Sequence, residues 1–555
     1  MSLFQLLLVT SLSSTIAWIA YSWVCLLLNY LKARKVGIPI RVVLISHGNP
    51  FWILVDRKVV SLFKRLPFGN GNFTRYNWRG WEVEDRYRSH LEMGDVYMQV
   101  TPDKNWLYVC DPEALMDIFR RRSDFPRPLE IYEMLNVFGP NLLTVEGHQW
   151  KQQRKITSTC FNEQTNEIVW SESAYLANDM LRYWASKELV KSAADDIRTF
   201  SLHVLSKAGF GKSYKFHGHD ESPATSPATS YKESLKVVLE NCILIMALGT
   251  EFLSKPWLPQ RLRRVHQACV SFQKYMTEVY EDEKRAFRNE KSIHRNIMTS
   301  LIRASHEEAL TSGGLTEKEI YGNLFVLNFA GHDTTAHTLT FAVMFLAANP
   351  AVQDWLSEEL HHVLGDRRPD DWKYGSDFPR LKRCIAVLME TVRLYTPVPV
   401  AKWTEKRAQT LKVGNNTITI PPETMVIPSY AAIHTHPGYW GPDALSWRPS
   451  RWIAKPSTSL RSFDDEDIIS PQRGAFIPWS EGERSCPGKK FSQVEFVAAI
   501  AGLFRDWRVD PIQQRGETLE GAQARVLELI HKDSAQALLL RMLHPERAPL
   551  VWRRR

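Results

Sequence analysis

The stretch from Phe476 to Phe491, FIPWSEGERSCPGKKF, constrains this chain most, because it surrounds one cysteine with groups that favour a thiolate. A free thiol has a pKa of ~8.5 and ionises dependably only beside a positive charge, backbone N–H groups or a helix N-terminus. Pro487 is a favoured first helical residue, and Phe491, Val494, Phe496, Val497, Ile500 and Leu503 follow at helical spacing. Cys486 is therefore predicted at a helix start, in the favourable end of its dipole. Gly482 and Gly488 bracket it and, lacking side chains, let the backbone approach a flat ligand. Arg484 is placed to meet an anionic group of that ligand. A solitary cysteine is ordinarily a small buried hydrophobe, so the pattern around it, and its companions elsewhere in the chain, carry the argument.

With 555 residues and no clear linker after the N-terminal segment, the chain reads as one large catalytic domain. Seven cysteines are scattered without a C-x-x-C pair, so neither a disulfide framework nor structural zinc is expected. The net charge of +9 is spread among 61 acidic residues and no dense basic tract appears. That argues against nucleic acid as the expected partner and favours anionic membrane and an acidic protein, with a generally solvated surface as the alternative for most of those charges. Met1–Leu31 has no Lys, Arg, Asp or Glu, and ~20 apolar residues suffice to cross a bilayer. A cleaved signal peptide would carry its basic residues before a shorter apolar core. Here Lys32, Arg34 and Lys35 come after it, which leaves the bulk of the chain on the cytosolic side. The expected organisation is an anchor at 1–31, a basic and apolar membrane-proximal connector at 32–60, and a catalytic domain at 61–555. The sequons at Asn72 and Asn415 are then out of reach of glycosylation. The patches Val42–Ile45 and Phe51–Val55 are too broken to span but suit a bilayer surface.

Strand-like pieces at Val96–Val100 and Trp106–Val109 predict a small sheet, followed by a helix over Glu113–Phe119. Helical spacing covers Gln149–Phe210 and resumes over Tyr231–Arg303; between them the tandem SPATSPATS, Ser222–Ser230, reads as an exposed insertion. Leu315–Ala348 is one long apolar helix with a Thr316/Glu319 capping box and an Asn349-Pro350 stop. Helices over Ala351–Leu364 and Leu381–Tyr395 and strands within Leu411–Ile433 complete a mainly α chain with a minor β component.

Three constellations carry chemistry. Ala330-Gly331-His332-Asp333-Thr334-Thr335 is polar in the middle of the long helix, where a hydroxyl competing for carbonyls opens the helix or seats a water. Glu390 and Arg393 lie one turn apart, ordinarily a solvated pair, with Arg451 available downstream. Trp150 and Arg154 share a helix face.

Together these features resemble the cytochrome P450 superfamily, the haem-thiolate monooxygenases. Trp479-Ser480-Glu481-Gly482-Glu483-Arg484-Ser485-Cys486-Pro487-Gly488 resembles its haem-binding loop, the Asp333-Thr334 segment its oxygen groove, Glu390, Arg393 and Arg451 its buried Glu-Arg-Arg network, and Trp150-x-x-x-Arg154 its propionate-binding helix. The resemblance implies a cytochrome P450 fold preceded by a transmembrane helix. It implies haem (heme b, iron protoporphyrin IX) with Cys486 as axial iron ligand. Arg484, Trp150 and Arg154 would hold propionates, Lys402 stands where another propionate ligand is common, and Gly488 and Trp479 border the cofactor. Thr334 and Asp333 would deliver protons, with Thr335 a weaker candidate and His332 structural. Trp479 replaces the usual Phe: either its indole N–H hydrogen-bonds the thiolate and weakens donation to iron, or the larger ring only shields. Ile131, Tyr132, Leu135, Val137, Phe138, Phe329, Val398 and Val400 are expected to line a pocket for a lipophilic small molecule. Two electrons from NADPH would arrive through a reductase docked on Lys155, Lys489 and Lys490, and one atom of dioxygen would enter the substrate at the endoplasmic reticulum membrane. HTHPGYWGPD and PSRW are similar to fungal members, many of which serve secondary metabolism. A haem-thiolate isomerase or dehydratase, and a non-catalytic haem sensor, are the alternatives; the Asp333-Thr334 pair argues against both.

Overall fold

The computed structural model describes residues 3–219, 231–288, 296–309, 313–454, 463–536 and 538–555. The SPATSPATS tract lies outside them. Helices dominate. The expected helical stretch after Gln149 resolves into Gly147–Ser158, Glu163–Ala185 and Ala193–Phe210; later come Gln260–Arg288, Glu317–Ala348, Lys382–Leu394 and Lys489–Phe504.

Glu317–Ala348 is the central helix. The capping box forms as its sequence predicts: Thr316 Oγ1 accepts from Glu319 N at 3.3 Å, and Glu319 Oε2 accepts from Thr316 N at 2.9 Å. The helix is buried along most of its length because Ala193–Phe210 and Leu519–Lys532 pack against it, which is why it is apolar on every side. Its polar middle does not interrupt it. The hydroxyls of Thr334, Thr338 and Thr340 donate to the carbonyls of Ala330, Thr334 and Ala336, at 2.8, 2.9 and 2.8 Å. The expected opening is absent because each hydroxyl adds to the ladder instead of displacing it.

Leu3–Arg34 is also long and apolar but differs in its surroundings: Trp18, Tyr21 and Trp23 stand 57%, 69% and 59% exposed. Within it, Thr10–Arg34 is long and apolar enough to cross a membrane. Its C-terminal turns are seated on protein, with Leu26 and Ala33 buried and Asn29 Nδ2 donating to Thr101 O at 2.9 Å.

The sheet has the order Ile40–Val42, Val96–Val100, Asn105–Val109, Thr424–Pro428 and Lys402–Trp403. Val96–Val100 and Asn105–Val109 form the expected strands, paired antiparallel with Met98 opposite Leu107. The connector supplies the edge strand Ile40–Val42 and an amphipathic helix, Pro50–Lys64, capped by Asn49.

Candidate active site

One cavity lies between the central helix and the cysteine loop. Its walls include Cys486, Trp479, Gly488, Arg484, Trp150 and Arg154 on one side, and Ala330, Gly331, Thr334 and Thr335 on the other. Residues some 340 positions apart in the chain (Trp150 and Phe491 among them) thus share one space.

The loop is shaped by backbone geometry. Gly482 has φ +72°, and a Cβ there would lie 2.7 Å from Phe119 O, so only glycine fits. Cys486 N donates to Trp479 O at 2.8 Å, closing the loop on itself. The following helix begins at Lys489 with Gly488 as its cap, so Pro487 precedes the helix and is not its first residue. Cys486 is exposed to this cavity rather than shut in the core. Desolvation pushes its thiol up from the ordinary value, opposed by the Gly488 N–H, Arg154, Arg127 and Lys489. A backbone N–H and three cations thus favour ionisation, and burial outweighs them.

A group of cations gathers beside the cysteine. Trp150 is sandwiched between Arg122 and Arg484, each guanidinium carbon 4.4 Å from a ring centroid. Arg484 donates to Val145 O at 3.2 Å and pairs with Glu146, and Arg122 pairs with Glu483 at 3.0 Å. Burial, then Arg127 and Arg484, pushes the Lys402 ammonium down to about 7, and burial with Arg127 lowers Arg484 to about 10. Arg484 Nε and Nη1 and Arg127 Nε meet no acceptor among the described residues. Buried cations crowded to this degree, with donors left over, fit a ligand bearing two carboxylates. Arg127 and Arg122 were not singled out in the sequence; the string Pro126-Arg127-Pro128, where an extended backbone aims an arginine, was the available signal.

Trp479 corrects one expectation. Its indole N–H donates to Ser492 Oγ at 3.1 Å, so the thiolate does not receive it. Asp333 is behind the cavity wall rather than on it. Its Oδ1 accepts from Arg198 Nε at 2.9 Å, and His332 Nδ1 lies 3.3 Å away. Burial would raise this carboxyl, but His332 and Arg198 hold it down at about 2. Thr335, the weaker candidate, does line the cavity beside Thr334. His332 Nε2 bonds to Arg198 O at 3.0 Å, a structural contact.

Of the eight expected pocket residues, Val398 and Val400 line the cavity. The others do not. Phe138 packs on Phe272 and Phe325, Phe329 stacks on Phe325, and Ile131 is 49% exposed. Aromatic contacts hold Phe138 and Phe329 against the core, and Leu142, Leu143, Leu205, Ile297 and Leu327 provide the apolar wall in their place.

Beneath the site, Glu390 is fully buried and every lone-pair direction is used. Arg393 Nε and Nη2 donate to it at 2.8 Å each, Arg451 Nε at 2.9 Å, Arg448 N at 2.8 Å and Trp452 Nε1 at 2.9 Å. The solvated-pair alternative is thereby removed.

Comparison with known proteins agrees with this architecture. Residues 68–533 match the family model described as Cytochrome P450. A cytochrome P450 monooxygenase of Postia placenta is 31% identical, with 89% of this chain and 91% of that protein covered. One from Arthrobotrys oligospora is 26% identical over 95% of each chain. A phomenoic acid biosynthesis cluster cytochrome P450 monooxygenase of Leptosphaeria maculans is 28% identical, covering 91% of this chain and 92% of its own. The family carries haem, and the thiol facing a cavity rimmed by surplus buried cations fits that cofactor. With the family match extending through the whole helical domain and its cysteine loop, this chain belongs to the cytochrome P450 family, as an oxygen-incorporating oxidoreductase.

Proposed function

We propose that this chain is a membrane-anchored monooxygenase that places one oxygen atom from dioxygen into a lipophilic small molecule of fungal secondary metabolism. The observation that carries this reading is the single cavity bounded by Cys486 on one wall and Thr334 on the other. When bound, haem supplies the binding and reductive activation of dioxygen, which a thiolate ligand favours. The chain's own residues do the rest. Cys486 Sγ would hold the iron, and Arg484, Arg154, Trp150, Arg127 and Lys402 would hold the propionates. Thr334 donates its proton to Ala330 O, which leaves its oxygen lone pairs able to accept from a water in the cavity. Asp333, ionised beside Arg198, keeps an acceptor behind that threonine and orders the approach of protons. The largely apolar wall selects substrate and excludes bulk water.

Electrons come from NADPH through a reductase. Lys489 and Lys490, which lie over the rings of Trp479 and Phe378, and Lys155, paired to Glu308 at 2.7 Å, form the basic face proposed to receive it. Leu3–Arg34 supports the division into an anchor at 1–31, a connector at 32–60 and a catalytic domain at 61–555 on the cytosolic side of the endoplasmic reticulum. The Leptosphaeria relative's assignment to a biosynthesis cluster supports the secondary-metabolite setting.

The deciding experiment pairs a reduced carbon monoxide spectrum with turnover in the presence of NADPH and a reductase. A thiolate-type Soret band and NADPH-dependent oxygen insertion into a candidate from a spectral binding screen are expected. Turnover without external electrons would instead favour the isomerase or dehydratase reading.

A further inference from the structure

We propose that Ser492 is a positioning residue that holds the indole N–H of Trp479, the one donor of its side chain, away from the Cys486 sulfur and so keeps the thiolate electron-rich. The inference rests on Cys486 being the iron ligand. An indole has one donor and no acceptor, so where its N–H points is an either-or choice. Here it points to Ser492 Oγ at 3.1 Å. The serine is itself tied down: its hydroxyl donates to Lys489 O at 2.9 Å and its N–H to Gly488 O at 2.9 Å. The chain indole N–H, serine hydroxyl, Lys489 carbonyl therefore ends on the first turn of the helix that follows the cysteine.

The remainder of Trp479 is fixed from other directions. Its carbonyl accepts the Cys486 N–H at 2.8 Å. The Phe476 ring stands edge-on with centroids 6.3 Å apart, and Lys489 Nζ is 5.5 Å from the ring centroid. Both Trp479 and Ser492 border the cavity that Cys486 faces. The backbone and ring faces of Trp479 are thus held by other groups, and Ser492 is the hydrogen-bond partner that takes its indole N–H.

The consequence is electronic. A hydrogen bond to a thiolate draws charge onto sulfur and away from the metal, and groups of this outer kind tune both ligand basicity and potential. Ferric iron depends on thiolate donation more than ferrous iron does. A donor turned onto the sulfur would therefore move the ferric/ferrous potential positive. With the indole held by Ser492, the Gly488 N–H acts on the sulfur from its own side and Trp479 contributes shielding alone.

The test uses the full-length haem-loaded protein and four variants: Ser492→Ala, Ser492→Thr, Trp479→Phe and the Ser492→Ala/Trp479→Phe double. The readouts are the ferric/ferrous potential by redox titration and the iron–sulfur stretching frequency by resonance Raman. Ser492→Ala is expected to shift the potential positive and lower the frequency. Ser492→Thr, which keeps a hydroxyl, should restore wild-type values, and the double variant should match Trp479→Phe. An Ser492→Ala variant with both readouts unmoved overturns the proposal, as does an equal shift on the Phe background. A wild-type reduced carbon monoxide spectrum without a thiolate band would overturn the ligand assignment along with it.

Discussion

Glu390 illustrates how far a residue's meaning depends on its surroundings. Its spacing to Arg393 is ordinary, and taken alone it describes a surface pair of small worth. In the fold it is fully buried and is shared by Arg393, Arg451, Arg448 N and Trp452 Nε1. Removing one member of such a buried set leaves the rest uncompensated, at a cost of ~3–5 kcal/mol. Glu390→Ala is accordingly expected to yield misfolded, haem-free protein, read as the loss of Soret absorbance per unit protein; a normally loaded variant would contradict this. The cation group allows a gentler test. Hydrogen bonds to charged groups contribute ~1.5–3 kcal/mol each, so Arg127→Ala and Arg484→Ala should each weaken haem retention roughly ten- to a hundredfold, measured by transfer of haem to an apo-acceptor protein. Arg484 was legible from its place two residues before Cys486. Arg127 was not, because nothing local says that residue 127 and residue 484 crowd the same Lys402.

Among the elements, the cysteine loop is held by His434, which opens the HTHPGYWGPD string but was given no role from the sequence. His434 is fully buried, and its Nε2 accepts from Ile477 N at 2.9 Å, two residues before Trp479. Its Nδ1 therefore carries the proton and donates to Thr396 Oγ1 at 3.0 Å, while that hydroxyl donates to Val392 O at 2.7 Å. Burial, then Arg393, pushes His434 from 6.5 down to about 3, and the bond to Arg393 only partly opposes this. The unfolded chain takes up a proton here below ~6.5 and the folded chain does not until about 3. The stability from neutral His434 is complete above 6.5 and is lost as pH falls from 6.5 towards about 3. Replacing it by glutamine should lower unfolding free energy at neutral pH and flatten its acid dependence across that window, measured by denaturant titration at several pH values. The central helix shows the opposite balance. Its start, stop and capping box were legible residue by residue, because capping is local; its unbroken passage through Gly331–Thr335 was not, because it depends on where the threonine hydroxyls turn.

For the molecule as a whole, the connector helix suits a second contact with a bilayer beside the apolar N-terminal helix. Phe51, Leu54, Leu62 and Phe68 are 80%, 78%, 61% and 99% exposed on or beside the Pro50–Lys64 helix, which also carries Arg57, Lys58 and Lys64. An apolar face flanked by basic residues suits the headgroup boundary of an anionic bilayer. A chain lacking residues 1–34 is expected to remain partly membrane-bound in a flotation assay with anionic vesicles, and Phe51→Ser with Leu54→Ser should release it. The sequence by itself determined the apolar N-terminal helix, the mainly α character and the capped central helix, and it singled out Cys486, Arg484, Trp150, Arg154 and Thr334, which all line the one cavity. Those features rest on local periodicity, composition and short motifs, which adjacent residues are enough to specify. Only the tertiary structure decided that Asp333 faces Arg198, that the indole of Trp479 serves Ser492, that Phe138 and Phe329 pack against the core, and that Arg127 and His434 support the site. Each of those outcomes is a choice among partners distant in the chain, and the direction of a side chain is settled by what packs against it.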